Sequence, residues 1–300
     1  MKKIALFLSF VVVINLSAID LFSLENSRLG VVKKPVENMY SKTSSQSDVV
    51  SQALLGTTIK ILNAEKDEGQ NDWYYVETPD TYQGWMDGRA IRLYREGERP
   101  YASEGRVIEI TSLFAYIYSE PDVTKQKPLT FAPISAVLEI GRYEERWAEL
   151  NLPCGHKAYI QMGDGEIKQA PFKRPRLRPE QMVLLARRFM GLPYFWGGTS
   201  PLGLDCSGFV QLIYRLSGIE ILRDADIQFA RSGLIEVPKG EEKAGDLVFF
   251  GKKKITHVGM MINDKEFIHA TTHEKPVVQI SGLYEEYWQR IYQGCRRAKS

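Results

Sequence analysis

One cysteine lies in a position that favours nucleophilic chemistry. Cys206 directly follows Asp205, where a glycine-rich loop leads into a segment with apolar residues at helical spacing. Asp is a favoured N-cap residue, so the pattern predicts a helix that begins at Cys206. The positive end of a helix dipole stabilises a thiolate, and we therefore expect a lowered pKa for the Cys206 thiol. A thiolate attacks carbonyl carbons, so Cys206 is a candidate catalytic nucleophile.

Two histidines are placed to serve this thiol. His257 and His269 lie in consecutive strand-like runs that are separated by a predicted turn at 263–265. A turn with an odd number of residues puts both imidazoles on one face of an antiparallel pair, in diagonal positions, whereas a two-residue turn would put them on opposite faces. His257 would then take the thiol proton, while His269 orients it through its other ring nitrogen. His156 and His273 have the surroundings of surface or turn residues and are assigned no role.

The same three side chains could instead bind Zn²⁺, which accepts cysteine and histidine ligands. No two of the three stand at a short ligand spacing such as C-x₂-C or H-x₃-H. The start of a helix also favours an anion over a cation. The pattern therefore favours a thiol site without metal, and no cofactor is expected.

The composition limits the class of protein. The chain has 300 residues, 44% of them hydrophobic and 25% charged, with a formal net charge of +2. This length indicates two or three globular domains. A charge so close to neutral gives no reason to expect a nucleic acid partner. Besides Cys206 the chain has Cys154 and Cys295, and the sequence leaves open whether these two form a disulfide or stay free.

The N-terminus has the features of an export signal. Lys2 and Lys3 precede an apolar run at 4–16, and the small residues Ser17 and Ala18 follow it. We expect residues 1–24 to be a cleaved signal peptide, with a retained N-terminal anchor as the alternative. The protein would then be exported to the periplasm or the cell wall, and it would contact the membrane only if this segment is retained.

Two β-rich stretches precede the candidate nucleophile. Short strand-like runs fill residues 29–100, and the same order, with a Trp-led strand in the middle, returns in residues 105–170. This predicts a tandem repeat of two small all-β barrels, with two unrelated β modules as the alternative. The basic, proline-rich stretch 171–178 is predicted to be an extended, solvated linker. In residues 179–300 helices come first and antiparallel strands follow, which is typical of an α+β domain.

The motifs around these residues resemble those of the NlpC/P60 family of papain-like cell-wall cysteine peptidases. They are PYFWGG at 193–198, DCSGFV at 205–210, RD at 223–224 with Gln228, GDLVFF at 245–250, HVG at 257–259 and FIHA at 267–270. Their order and spacing match the family over about residues 179 to 297. The β-rich repeat resembles the bacterial SH3 (SH3b) pair that precedes some members. The resemblance implies two small SH3b barrels followed by an α+β papain-like catalytic domain.

The resemblance also implies a role for each candidate residue. Cys206 corresponds to the nucleophile, His257 to the general base and then acid, and His269 to the residue that orients it. Five further residues correspond to substrate-binding positions: Tyr194 beside the oxyanion, Asp205 and Ser207 at a free α-amine of the substrate, and Arg223 and Asp224 in the loop that lines the cleft. The structural alternatives are an N-cap, a first-turn residue and an ion pair within the loop.

The implied reaction is hydrolysis of the γ-D-glutamyl–diamino acid bond in peptidoglycan stem peptides. A requirement for a free N-terminal L-Ala favours detached peptides, as in wall turnover or recycling. The main alternative is a hydrolase of intact or glycan-attached peptidoglycan, with the SH3b pair as wall anchor. A binding module with an inactive catalytic domain is less favoured because all three catalytic positions are filled. An acyltransferase is less favoured because it has no evident use for Asp205 and Ser207.

Overall fold

The computed structural model describes residues 28–125 and 127–299, so the predicted signal segment at 1–24 lies outside the described residues. Strands dominate the described part of the chain, and they form three large antiparallel sheets along the sequence. No helix in this part is long and apolar enough to cross a membrane.

The first unit is one seven-stranded sheet. Its strands are β1 (Arg28–Val32), β2 (Val36–Tyr40), β3 (Val49–Leu54), β4 (Thr58–Lys66), β5 (Asp72–Glu77), β6 (Gln83–Asp87) and β7 (Ile91–Leu93). They pair in the order β3-β2-β6-β5-β4-β1-β7. Because side chains alternate between the two faces of a strand, apolar residues such as Met39, Val76 and Met86 meet in one core.

The second unit repeats this plan. Its strands are β8 (Gly105–Ile110), β9 (Phe114–Tyr118), β10 (Thr130–Pro133), β11 (Val137–Tyr143), β12 (Trp147–Asn151), β13 (Lys157–Gln161) and β14 (Gly165–Ala170). Their order, β10-β9-β13-β12-β11-β8-β14, is that of the first unit. Neither sheet closes into a barrel within the described residues, because the last strand of each unit pairs with the first strand and not with the third. The predicted barrels are thus open sheets.

The stretch 171–178 is extended but not free in solvent. Arg174 donates to the carboxylate of Glu109, which also accepts from Lys168 at 2.7 Å. Glu109 is only 3% exposed, and a buried carboxylate requires partners of opposite charge. The prediction of a solvated linker is therefore wrong at Arg174, which docks the stretch on the second sheet.

The third unit combines helices with a six-stranded antiparallel sheet, the α+β order expected from the sequence. Its helices are α1 (Pro179–Arg187), α2 (Cys206–Leu216), α3 (Ala225–Arg231) and α4 (Glu286–Ile291). Its strands are the short pair β15 (Thr199–Ser200) and β16 (Gly203–Leu204), then β17 (Ile235–Val237), β18 (Leu247–Phe250), β19 (His257–Met261), β20 (Glu266–Thr271), β21 (Val277–Gly282) and β22 (Tyr292–Arg297). The sheet order is β17-β22-β18-β19-β20-β21.

The sheet of the third unit separates two apolar cores. On one side, Phe209 and Leu212 of α2 pack with Val258 and Met260 of β19. On the other side, Trp288 of α4 packs with residues of β18, β19 and β20. The start of α2 is held in this way against the start of β19.

Candidate active site

Cys206 is the first residue of α2, as the sequence predicts. The Asp205 carboxylate caps the helix by accepting from the Gly208 N–H at 2.7 Å. The backbone N–H groups of Val258 and Ser207 hydrogen-bond the Cys206 sulfur. Because Val258 directly follows His257, these contacts place the thiol at the start of β19.

The pKa of the Cys206 thiol moves in the direction opposite to the prediction. Burial raises this pKa to about 12, and the negative charge of Asp205 acts in the same sense. The hydrogen bonds to the sulfur and the charge of Arg223 lower the pKa by less. The expected thiolate is therefore a neutral thiol at rest, and it becomes a nucleophile only when a base takes its proton.

His257 and His269 lie side by side on one face of the sheet. Strands β19 and β20 pair antiparallel around a three-residue turn at 263–265, the odd length that puts both imidazoles on the same face. His257 Nε2 is 2.7 Å from His269 Nδ1. His269 Nε2 is in turn 3.1 Å from Ser281 Oγ. Nδ1 is thus the ring nitrogen of His257 that remains for the thiol.

Both imidazoles are held neutral by burial. Burial lowers the pKa of His257 to about 4 and the pKa of His269 well below its ordinary value. Trp288 covers the pair and stacks on His257 with 5.3 Å between ring centroids. A neutral imidazole can accept a proton, so His257 is able to act as a base near pH 7.

We expect the folded protein to lose stability as the pH falls from about 6.5 towards about 4. The buried His257 has its pKa lowered from 6.5 to about 4, so the unfolded chain binds more protons in this window. The free energy of unfolding therefore decreases as the pH falls through it. Melting temperatures measured at pH 7, 6 and 5 test this expectation.

Two variants serve as controls for the pH dependence. His269→Asn removes one buried imidazole and should make the melting temperature less sensitive to pH. His156→Asn, in an exposed turn, should leave the sensitivity as it is. A native melting temperature that does not change between pH 7 and pH 5 would contradict the expectation.

A buried ion pair lies beside the thiol. Arg223, whose side chain is 1% exposed, donates to the two carboxylate oxygens of Asp205 at 3.0 and 2.6 Å. Arg223 also donates to Ser207 Oγ at 2.8 Å and to Ser51 Oγ of the first unit at 3.2 Å. The structural alternative for Arg223 was an ion pair with its neighbour Asp224. The guanidinium pairs with Asp205 instead.

Two tyrosines and Asp224 complete the polar surroundings. The Tyr82 hydroxyl of the first unit donates to Asp224 Oδ2 at 3.3 Å, and burial raises the pKa of Asp224. Tyr194 is half-buried, and its burial, together with Cys206 and Asp205, raises the pKa of its phenol. Tyr194 therefore stays protonated and can donate a hydrogen bond.

The edge strand β3 of the first unit packs against the loop that leads to Cys206. Gln52 Oε1 accepts from the Thr199 N–H at 3.0 Å and from Ser200 Oγ at 3.1 Å. Gly197 has φ +77, and a Cβ there would lie 2.6 Å from the Val49 carbonyl oxygen. Glycine is therefore required at 197 by both its conformation and the close approach of the first unit.

Several residues of this site were not identified from the sequence. They are Ser51, Gln52, Tyr82, Ser281 and Trp288. The first three come from the β-rich repeat, and no spacing rule connects that repeat to the thiol. Ser281 could have been found from the sequence, because side chains alternate between the two faces of a strand. This alternation puts Ser281 of β21 on the same sheet face as His269 of β20.

The structure also bears on the two options concerning cysteine pairing and metal binding. Cys154 is exposed and Cys295 is buried, and both are free thiols. Within residues 28–125 and 127–299, no group of three or more His, Cys, Asp and Glu side chains is arranged to hold a metal ion.

Comparison with protein families gives two matches. The model of the NlpC/P60 family matches residues 191–297, which contain the thiol and both histidines. The model of the bacterial SH3 domain matches residues 35–92 in the first sheet. The described chain thus combines an N-terminal SH3b domain with an NlpC/P60 domain and consists mostly of sheet.

Individual relatives extend the match over most of the chain. A γ-D-glutamyl-L-lysine dipeptidyl-peptidase from Bacillus cereus is 32% identical over 259 residues, which span 82% of this chain and 74% of the relative. A Bacillus subtilis protein of the same name is 29% identical over 84% of this chain and 82% of its own length. The crystal structure of an NlpC/P60 family protein from Bacillus cereus covers 90% of this chain and 99% of that chain, with 25% identity and a TM-score of 0.76. The chain belongs to the NlpC/P60 family and is a cysteine peptidase.

Proposed function

We propose that the protein hydrolyses the γ-D-glutamyl–diamino acid bond of peptidoglycan stem peptides that carry a free N-terminal L-Ala. The observation that carries this proposal is the pair of carboxylates around Arg223: Arg223 donates to Asp205, and its charge acts on Asp224. The names of the relatives from Bacillus cereus and Bacillus subtilis support a γ-D-glutamyl bond as the target.

In the proposed mechanism, Cys206 attacks the γ-carbonyl carbon while His257 Nδ1 takes the thiol proton. Tyr194 donates a hydrogen bond to the oxyanion of the tetrahedral intermediate. When the carbon–nitrogen bond breaks, the His257 imidazolium gives its proton to the leaving amine of the diamino acid. Water then adds to the thioester and gives a proton to His257. The released sulfur takes this proton back, which restores the thiol and frees the γ-carboxyl group.

The charges around Arg223 fit a single ammonium group. Asp205 and Asp224 carry two negative charges and Arg223 one positive charge, which leaves an excess of one negative charge for the substrate. The α-ammonium of L-Ala binds between the two carboxylates, with Ser207 at the edge of the Asp205 group. This position sets the distance from the amine to the bond that Cys206 attacks.

The domain assignment and the location belong to the same proposal. Residues 29–100 and 105–170 are proposed to be two SH3b domains, joined through 171–178 to a papain-like catalytic domain at 179–300. The repeated strand order supports this assignment. Export to the periplasm or the cell wall is part of the proposal and rests on the signal predicted at 1–24.

Blocking the substrate amine tests the proposal. N-acetylation of L-Ala-γ-D-Glu-diaminopimelate should lower kcat/KM by about 10- to 150-fold, because hydrogen bonds to charged groups contribute about 1.5–3 kcal/mol. Mass spectrometry of the released diaminopimelate measures the rate for both peptides. Equal rates for the free and acetylated peptides would contradict the amine requirement.

Two comparisons sharpen this test. Asp224→Asn should reduce the preference for the free amine, since it removes the excess negative charge. Whole sacculi should release little product in the same assay. Release from sacculi as fast as from free peptide would instead favour the hydrolase of intact wall.

A further inference from the structure

The orienting partner of His257 is a second histidine, and a neutral histidine can donate or accept at Nδ1. His257 Nε2 and His269 Nδ1 are 2.7 Å apart, so one proton lies between them. If this proton belongs to His257, its Nδ1 is unprotonated and can accept the thiol proton. If it belongs to His269, neutral His257 carries its own proton on Nδ1 and cannot act as a base. The chemistry therefore depends on the tautomers of the pair.

Ser281 lies at the far end of this pair. Strands β20 and β21 pair antiparallel with Phe267 opposite Ser281, so His269 and Ser281 are diagonal neighbours on the same face. Ser281 Oγ is 3.1 Å from His269 Nε2. His269 is fully buried and Ser281 is 6% exposed. A proton on His269 Nε2 thus has an acceptor inside the protein.

We propose that Ser281 is a positioning residue that fixes the tautomers of the histidine pair. Ser281 accepts from the Nε2–H of His269, whose Nδ1 accepts from the Nε2–H of His257. His257 Nδ1 is then left as the base for Cys206. The arrangement persists during the reaction, because the His257 imidazolium keeps its Nε2 proton. This inference rests on the proposed peptidase mechanism and adds a positioning residue behind Cys206, His257 and His269.

Neighbouring elements act on the pair in different ways. Asp205, at the start of α2, and His273, in the loop after β20, act on His257 through their charges, and His273 also acts on His269. Trp288 of α4 has no titratable group and packs on both imidazole rings. Ser281 of β21 differs from all of these because it hydrogen-bonds His269 Nε2 directly. Its hydroxyl can donate or accept, and in the proposed arrangement it accepts.

Nitrogen-15 NMR of the histidine rings distinguishes the two tautomers, and the chain has only 4 histidines to assign. In the native protein we expect Nδ1 of both His257 and His269 to be unprotonated. In Ser281→Ala the buried Nε2–H of His269 loses its acceptor, which is costly. The pair should then adopt the opposite tautomers. We expect kcat on the free tripeptide to fall with KM unchanged, by up to about 10⁴-fold, the loss known for a catalytic histidine held in the wrong tautomer.

Two variants separate this role from a general structural one. Ser281→Thr keeps the hydroxyl and should restore both the native NMR pattern and kcat. Gln279→Ala, in the same strand, loses a hydrogen bond to the His273 carbonyl and should change neither. Native tautomers retained in Ser281→Ala, or a proton on His257 Nδ1 in the native protein, would overturn the inference. The NMR signals can be measured without turnover. Failure of the native protein to cleave the tripeptide would therefore contradict the proposed substrate only. The role of Ser281 would still be decided by the tautomers of His257 and His269.

Discussion

Replacing Cys206 with alanine should abolish hydrolysis of L-Ala-γ-D-Glu-diaminopimelate. Loss of the nucleophile removes the acyl-enzyme route entirely, and in serine hydrolases a comparable change lowers kcat by about 10⁶-fold. The buried, neutral state of the thiol does not weaken this expectation, since His257 takes the proton only as the sulfur attacks. Mass spectrometry of the product after long incubation at high enzyme concentration gives the sensitivity that such a large effect requires.

Cys154 provides a matched control for this experiment, because it is also a free cysteine but lies in an exposed turn of the second sheet. Cys154→Ala should cleave the tripeptide at the native rate. The melting temperature of Cys206→Ala should stay close to the native value. This result would show that the variant loses activity without losing its fold. Cleavage by Cys206→Ala at the native rate would refute the whole mechanism.

Replacing Arg223 with methionine should be among the most destabilising single changes in the peptidase unit. The Asp205 carboxylate would remain buried without its cation, and removing one partner of a buried pair costs about 3–5 kcal/mol. The hydroxyl groups of Ser51 and Ser207 would also lose a donor. Chemical unfolding of the native protein and the variant measures the change in the free energy of unfolding.

The double variant Arg223→Met with Asp205→Asn tests the cause of this loss. It removes both charges of the buried Arg223–Asp205 pair and leaves Asp224 with its hydrogen bond from Tyr82. We expect it to recover much of the stability but not the preference for a free amine. Asp72→Asn breaks an ion pair with Lys66 in which both side chains are more than half exposed, and it should unfold like the native protein. Equal free energies of unfolding for Arg223→Met and Asp72→Asn would show that the buried Arg223 ion pair stabilises the protein no more than an exposed pair does.

Local sequence patterns were sufficient for the elements that carry the thiol and the histidines. The N-cap residue Asp205 and the apolar spacing after it predicted a helix beginning at Cys206, and α2 begins there. The odd length of the turn after β19 predicted that His257 and His269 share a face, and their ring nitrogens are in hydrogen-bond contact. Both features depend on residues close in sequence, which is why they could be predicted.

Contacts between distant parts of the chain could not be predicted from these local patterns. Arg223 pairs with Asp205 and Ser51, at separations of 18 and 172 positions, and not with its neighbour Asp224. The thiol pKa was predicted wrongly for a related reason. The helix dipole is a local property, whereas burial of Cys206 arises only when α2 packs against the sheet and the opposing charge of Asp205 is held beside it.

The bond between Arg223 and Ser51 also has a consequence for the order in which the enzyme matures. During synthesis the β3 strand that carries Ser51 leaves the ribosome well before α2, and N-terminal domains generally fold first. The first sheet can then fold early. The loop that carries Gly197 and the Arg223 side chain can pack against it afterwards. A chain cut between these parts retains Cys206 but lacks one wall of its surroundings. The nascent chain therefore becomes able to hydrolyse its substrate only after all three units have been synthesised.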